Sequence, residues 1–163
     1  MLPPKRNPRL QYPFCAVVPP AIEKEILIKA PVDVVWRLVT EPDQIRHWFA
    51  DVAEIDVRVG GHGTLAFPSQ DSYQLQVEAL DPPRRFAFRW VRRPETIVRS
   101  GNSLLVEFIL EPEDEKTRLR VVESGFDALD WSDDDKADYV EQHSSGWPRI
   151  LGRLRDHAAS QHK

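Results

Sequence analysis

Apolar residues recur along this chain at two different spacings, and the switches between them mark its elements. From Ile22 to Lys29 the period is two. Ile22, Ile26 and Ile28 share one face, with Lys24 as the polar exception, and Leu27 joins Glu23, Glu25 and Lys29 on the other. The period then lengthens: Val34, Val35, Leu38 and Val39 predict a helix over Pro31–Thr40, with Pro31 at the first helical position, where a missing N–H costs nothing. Thr40-Glu41-Pro42 stops it and opens a second short helix, Pro42–Phe49. From Glu54 the period returns to two. The expected strands are Glu54–Val59, Thr64–Phe67, Ser72–Leu80, Arg84–Val91, Ser103–Leu110 and Lys116–Ser124. They are separated by the Gly60-Gly61-His62-Gly63 and Asp81-Pro82-Pro83 turns, a loop over Arg92–Asn102, and the Pro112-Glu113-Asp114-Glu115 turn.

A helical pattern closes the chain. Val140, His143, Trp147, Ile150, Leu151, Leu154 and Ala158 share one face. Ser132 with Asp135 forms a capping pair, and Asp133, Asp134 and Asp135 suit the positive end of the helix dipole. Pro148 removes a backbone bond inside this helix, which predicts a kink or a break. The fold class is therefore α+β: one curved antiparallel sheet facing a long C-terminal helix.

Such a sheet need not fill its own interior, and the residues aimed there are large. Phe86, Phe88 and Trp90 alternate along one strand, and Phe108 repeats the pattern. Two readings are open: packed core, or the wall of a cavity. The cavity reading adds Trp36, Trp48, Phe67, Tyr73 and Trp147. Glu123 is the most pointed residue, because strict alternation gives it the face of Leu119 and Val121. Either it points inward and must be paired, or the strand ends before it and water solvates it. An inward Glu123 is a polar anchor for a ligand or a general acid or base. His143 shares the Trp147 face, as core or as pocket wall; His47, beside Trp48 and Phe49, reads as structural.

Composition narrows the function classes. The chain has 163 residues, 41% hydrophobic and 29% charged, as expected for one globular domain. That domain is placed at 21–160. Before it, residues 1–20 hold six of the 14 prolines and the basic residues Lys5, Arg6 and Arg9, and read as an extended basic arm. The arm has no acid, which leaves −7 for the rest of a chain at −4. An acidic domain argues against nucleic acid, despite Arg84-Arg85 and Arg92-Arg93. The single Cys15 excludes an internal disulfide and suits a reducing compartment, and Phe14–Val18 is too short to span a membrane. A cytoplasmic location is expected. His47, His62, His143, His157 and His162 show no metal-ligand spacing, no nucleophile motif appears, and the Gly60–Gly63 turn lacks the phosphate-loop lysine. No cofactor and no metal are expected.

Several stretches carry a family resemblance. They are Ile28-Lys29-Ala30-Pro31-Val32-Asp33-Val34-Val35-Trp36, Pro42-Asp43-Gln44-Ile45-Arg46-His47-Trp48-Phe49, Val59-Gly60-Gly61, and Val77–Phe86 with its Asp81-Pro82-Pro83. Glu123-Ser124-Gly125-Phe126 and Gly146-Trp147 ahead of Leu151 and Leu154 complete the set. In this order they resemble the SRPBCC, or START-like, helix-grip superfamily. The closer similarity is to its bacterial branch akin to activators of the ninety-kilodalton heat-shock chaperone's ATPase. The resemblance covers about 22–158. It implies a β-α-α-β6-α order, a seven-stranded antiparallel sheet gripping the C-terminal helix, and a hydrophobic tunnel between them. It also implies ligands such as lipids or polyketides, and for some members cyclase, dehydratase or hydrolase activity.

Three functions follow as expectations. The first is a binding module holding a small hydrophobic molecule, with Trp36, Trp48, Phe67, Tyr73, Phe86, Phe88, Trp90, Phe108, Glu123, His143 and Trp147 around the cavity. The second is a cyclase, dehydratase or hydrolase using Glu123 with His143 or Tyr73 in that cavity. The third is an interaction protein that contacts a chaperone. A homodimer is a further partner reading; nucleic acid and membrane insertion are not expected.

Overall fold

A computed structural model describes residues 21–68, 72–91, 98 and 102–161. The expectations for the 1–20 arm, most of the 92–102 loop and His162 lie outside the described residues.

The chain runs β1 (Ala21–Ile28), α1 (Val32–Thr40), α2 (Pro42–Trp48), β2 (Val52–Ile55), β3 (His62–Ala66), β4 (Ser72–Asp81), β5 (Arg85–Val91), β6 (Leu104–Glu113), β7 (Lys116–Ser124), a short 3-10 turn (Phe126–Ala128) and α3 (Asp133–Gln161). The strands form one seven-stranded sheet in the order β1-β7-β6-β5-β4-β3-β2. Every pairing is antiparallel. The β-α-α-β6-α order and the sheet implied by the resemblance are both present.

The two-residue alternation decides which face is buried. On β7, Thr117, Leu119, Val121 and Glu123 point inward and are fully buried. On β6, Leu104, Val106, Phe108 and Leu110 do the same. The outward face carries charge pairs between strands, such as Arg85 with Glu107 and Arg118 with Glu25 and Glu113. Helices α1 and α2 and the buried side of α3 supply Val35, Leu38, Val39, Trp48, Trp147, Leu151 and Leu154 to the same core. Trp48 satisfies its own indole by donating from Nε1 to the Leu38 carbonyl at 2.8 Å.

Four expectations change. Pro31 caps α1 with extended backbone and stands before its first turn. The second strand is Val52–Ile55, because Asp56 takes local partners: the Arg58 N–H and the Arg58 side chain both bind it. Val57 and Val59 thus leave the strand, Val59 is exposed, and His62 and Gly63 belong to β3. Strand β6 runs on to Glu113, since beyond Leu110 the paired residues lie on β7 alone, which gives Pro112 a sheet edge to occupy. Finally, α3 is one continuous helix of 29 residues through Pro148. Pro148 is exposed while Trp147 is buried, so the missing bond falls on the solvent side, where water can serve the freed carbonyl. At the start of α3 the Asp135 N–H donates to Ser132 Oγ at 3.1 Å, as the capping pair predicts.

Candidate functional site

The site is built on Glu123. Its carboxylate is 0% exposed, and a bare charge there would cost several kcal/mol. Four side chains offset that cost. Trp90 Nε1 and Tyr139 Oη each donate to Oε2 at 3.0 Å. Trp147 Nε1 donates to Oε1 at 3.0 Å, and His143 Nδ1 lies 2.8 Å from the same oxygen. Trp90 reaches across from β5; the other three come from α3. Tyr139, His143 and Trp147 are spaced four residues apart, which stacks them along one helix face. Gly125 follows at φ 103, a left-handed conformation that glycine adopts without steric cost, so the chain turns away just after the carboxylate.

This network fixes the imidazole. Indole N–H groups only donate, so Glu123 serves as the acceptor, and the hydrogen bonding assigns the proton to His143 Nδ1. Nε2 lies on the other side of the ring, 3.4 Å from the Tyr73 hydroxyl. The His143 ring also stacks on Tyr139 with centroids 3.7 Å apart. Burial pushes the Tyr139 phenol well above the usual tyrosine range, and the Glu123 charge and Tyr73 add to the shift.

Beside this floor opens a pocket of about 420 Å³. Phe49 after α2, Phe67 and Pro68 after β3, Tyr73 of β4, Trp90 of β5 and the α3 residues Gln142, His143, Gly146, Trp147, Arg149, Ile150 and Arg153 line it. Tyr73 and Trp90 stack at 4.3 Å and form one wall. Phe49 lies 5.5 Å from Trp147 and 5.9 Å from Trp90 by ring centroids, and 6.3 Å from Phe108 on its other side. With Trp147, 6.1 Å from Phe108, it joins the pocket wall to the packed core.

Five of the expected cavity residues line the pocket: Phe67, Tyr73, Trp90, His143 and Trp147. Glu123 points inward, as alternation predicts, but it lies beneath the wall and orients the groups on it. Phe86, Phe88 and Phe108 are packed core, each at most 1% exposed and in ring contact with one another. Trp48 is likewise buried, edge-on to Phe108. Trp36 is half-buried on α1, one step around the helix from Val35, and packs on the core away from the pocket. Sequence reasoning passed over Tyr139, Phe49, Gln142, Ile150, Arg149 and Arg153 as site residues. Tyr139 stands one helical turn before His143 and was legible by that spacing. Phe49 was not, since it lies just past the end of α2. Among the described residues no three histidine, cysteine or acidic side chains converge as a metal site.

The fold places the chain among solved structures. A protein from Mesorhizobium loti, MLL2253, superposes with a TM-score of 0.72 at 20% identity, over 88% of this chain and 98% of its own. DynU16, from the dynemicin biosynthetic locus, gives a TM-score of 0.68 at 24% identity over 88% of this chain and 48% of its own. The Aha1 dimer from Colwellia psychrerythraea gives 0.66 at 20% identity over 83% of this chain and 93% of its own. No curated protein matches the sequence. The family described as Activator of Hsp90 ATPase homolog 1-like protein matches residues 29–159. With most of its length so matched, the chain belongs to the Activator of Hsp90 ATPase homolog 1-like family.

Proposed function

We propose that this protein binds a small, largely apolar molecule in the pocket between the sheet and α3. One observation carries the reading: a 420 Å³ opening walled by Phe49, Phe67, Tyr73, Trp90 and Trp147, with its polar groups held in place by a buried carboxylate. That volume lies within the range of small-molecule sites, about 300–1,000 Å³. Burial of about 400 Å² of apolar ligand surface contributes about 10 kcal/mol. Association costs of at least about 4 kcal/mol leave micromolar binding. His143 and Tyr73 are the polar groups a ligand would meet, with Glu123 acting through them. The test is a titration with methyl 11-(dansylamino)undecanoate, followed by dansyl emission. Ile150→Trp, which fills the pocket from its half-exposed side, is expected to abolish the binding with the fold intact by circular dichroism. Binding unchanged by that substitution overturns the reading.

A second reading rests on the ordered imidazole. A carboxylate at Nδ1 of a histidine that lines the pocket favours acid–base chemistry of the cyclase, dehydratase or hydrolase type. His143 would be the group in contact with substrate and Glu123 its positioning residue. A His143→Asn variant that retains probe binding and loses turnover of a candidate substrate supports it.

Chaperone contact has less support, since among the described residues the exposed large apolar side chains are Val52 and Val59. Self-association is a proposal by analogy with the Colwellia dimer, to be measured by sedimentation. No described helix is long and apolar enough to cross a membrane. We retain a cytoplasmic location as a proposal resting on the lone Cys15.

A further inference from the structure

We propose that the pocket selects an amphiphilic anion: a molecule with an apolar body and a single carboxylate, the carboxylate held at the mouth by Arg149 and Arg153. The proposal rests on the binding reading above and names the ligand class for that site.

Among the described residues, charge on the wall is of one sign: Arg149 and Arg153 are cationic and no described lining side chain is acidic. This stands out in a chain of net charge −4. Both arginines line the pocket and are exposed, so they stand at its mouth. Most described arginines face a carboxylate, Arg85, Arg89 and Arg118 among them. Among the described residues, Arg149 and Arg153 have neither an ion pair nor a side-chain hydrogen bond.

The spacing makes them a pair. Residues four apart on a helix are surface neighbours, and two like charges there repel by a few tenths of a kcal/mol. An anion seated between them removes that repulsion. Guanidinium groups also present a planar fork that matches a carboxylate. Gln142 adds an amide to the polar inventory of the pocket.

The geometry also sets the length of the ligand. At 1.5 Å per residue, Arg149 lies about 9 Å along α3 from His143, and Arg153 about 15 Å. Between them the wall is Trp147, Ile150 and the rings of the sheet and α2. A molecule that spans this distance meets a hydrogen-bonding group at one end, an apolar run in the middle and paired cations at the other. A neutral oil satisfies only the middle of that sequence.

The experiment compares 11-(dansylamino)undecanoic acid with its methyl ester, at low and high salt. The proteins are the wild type, the double variant Arg149→Gln/Arg153→Gln and the double variant Arg149→Lys/Arg153→Lys. In the wild type the acid is expected to bind about tenfold tighter than the ester, with the preference shrinking at high salt. The Gln variant is expected to lose the preference, its affinity for the acid falling to that for the ester; the Lys variant is expected to keep part of the preference. Equal affinity for acid and ester in the wild type overturns the anion proposal and leaves the pocket reading standing. A preference that survives in the Gln variant overturns the assignment to these arginines. No binding of either probe overturns both readings. Exposed positions on a helix tolerate these changes, and circular dichroism of each variant checks the fold.

Discussion

Phe86, Phe88 and Trp90 alternate on one face of one strand, yet they end in two different environments. The Phe86–Phe88 end is packed: these rings meet Phe108, and Trp48 and Phe49 close over Phe108 from α2. The Trp90 end is open: it faces the pocket, and its indole is tied to Glu123. The pattern of the strand is the same at both ends. What differs is the cover: Trp48 of α2 packs edge-on to Phe108 at one end, while Phe49 and Trp147 at the other leave the pocket open beside Trp90. A periodic apolar face therefore identifies the inside of a sheet and leaves open whether that inside is filled.

The two ends also differ in what holds them. The packed end relies on dispersion and apolar burial, which are diffuse. The open end relies on one carboxylate that gathers two indoles, a phenol and an imidazole. Removing that hub has the largest expected effect. Glu123→Leu strands three buried donors and the partly buried His143, and is expected to cost about 3–5 kcal/mol of stability by urea unfolding. A small loss would mean that these donors find other partners.

The next effect separates the ends directly. Phe88→Ala is expected to cost about 3 kcal/mol as a core cavity and to leave probe affinity nearly unchanged. Phe67→Ala, on a half-buried wall residue, is expected to cost under about 1.5 kcal/mol and to weaken the probe several-fold. Unfolding curves and titrations of both variants check the pair, and a reversed order would place the functional cavity in the wrong half of the sheet.

Two titrations sharpen the comparison further. Tyr139 is held neutral in the folded protein to a higher pH than in the unfolded chain, chiefly by burial. The folded state thus keeps a proton that the unfolded state releases above pH about 10, and stability falls as pH rises beyond that point. Tyr139→Phe is expected to flatten this alkaline decline, at a cost of about 1 kcal/mol near neutrality for the lost hydrogen bond.

The smallest effect lies where α2 meets α3. His157 stacks on His47 with centroids 4.8 Å apart, and its Nε2 pairs with Gln44 Oε1 at 2.9 Å. Burial lowers the His157 pKa, and His47 adds to the shift. The unfolded chain therefore takes up the proton first, and stability declines slightly as pH falls below about 6.5. A His157→Gln variant is expected to lose that shallow acid slope in thermal unfolding scans.

The strands and helices were legible wherever a period ran uninterrupted. Lys116–Ser124 matches to the residue, and Glu123 faces inward as its alternation requires. Reading failed where a polar residue captured nearby backbone, as Asp56 does, or where an edge accommodated a proline, as at Pro112. It failed again at Pro148, because the cost of a helical proline depends on whether the freed carbonyl meets water. In the site, Trp90, His143 and Trp147 were named from their faces. Arg149 and Arg153 were passed over because an exposed arginine on a helix looks like any solvated charge until its neighbours are known.

The order of elements, the inner face of each strand and the presence of a carboxylate on that face belong to the chain by itself. They follow from local periods of two and 3.6, which each residue expresses through its own neighbours in sequence. The division of the interior into packed and open halves, the four donors on Glu123 and the place of Arg149 and Arg153 on the pocket wall belong to the tertiary structure. They depend on where α2 ends relative to α3 across the sheet, and that distance is set by packing between segments far apart in the chain.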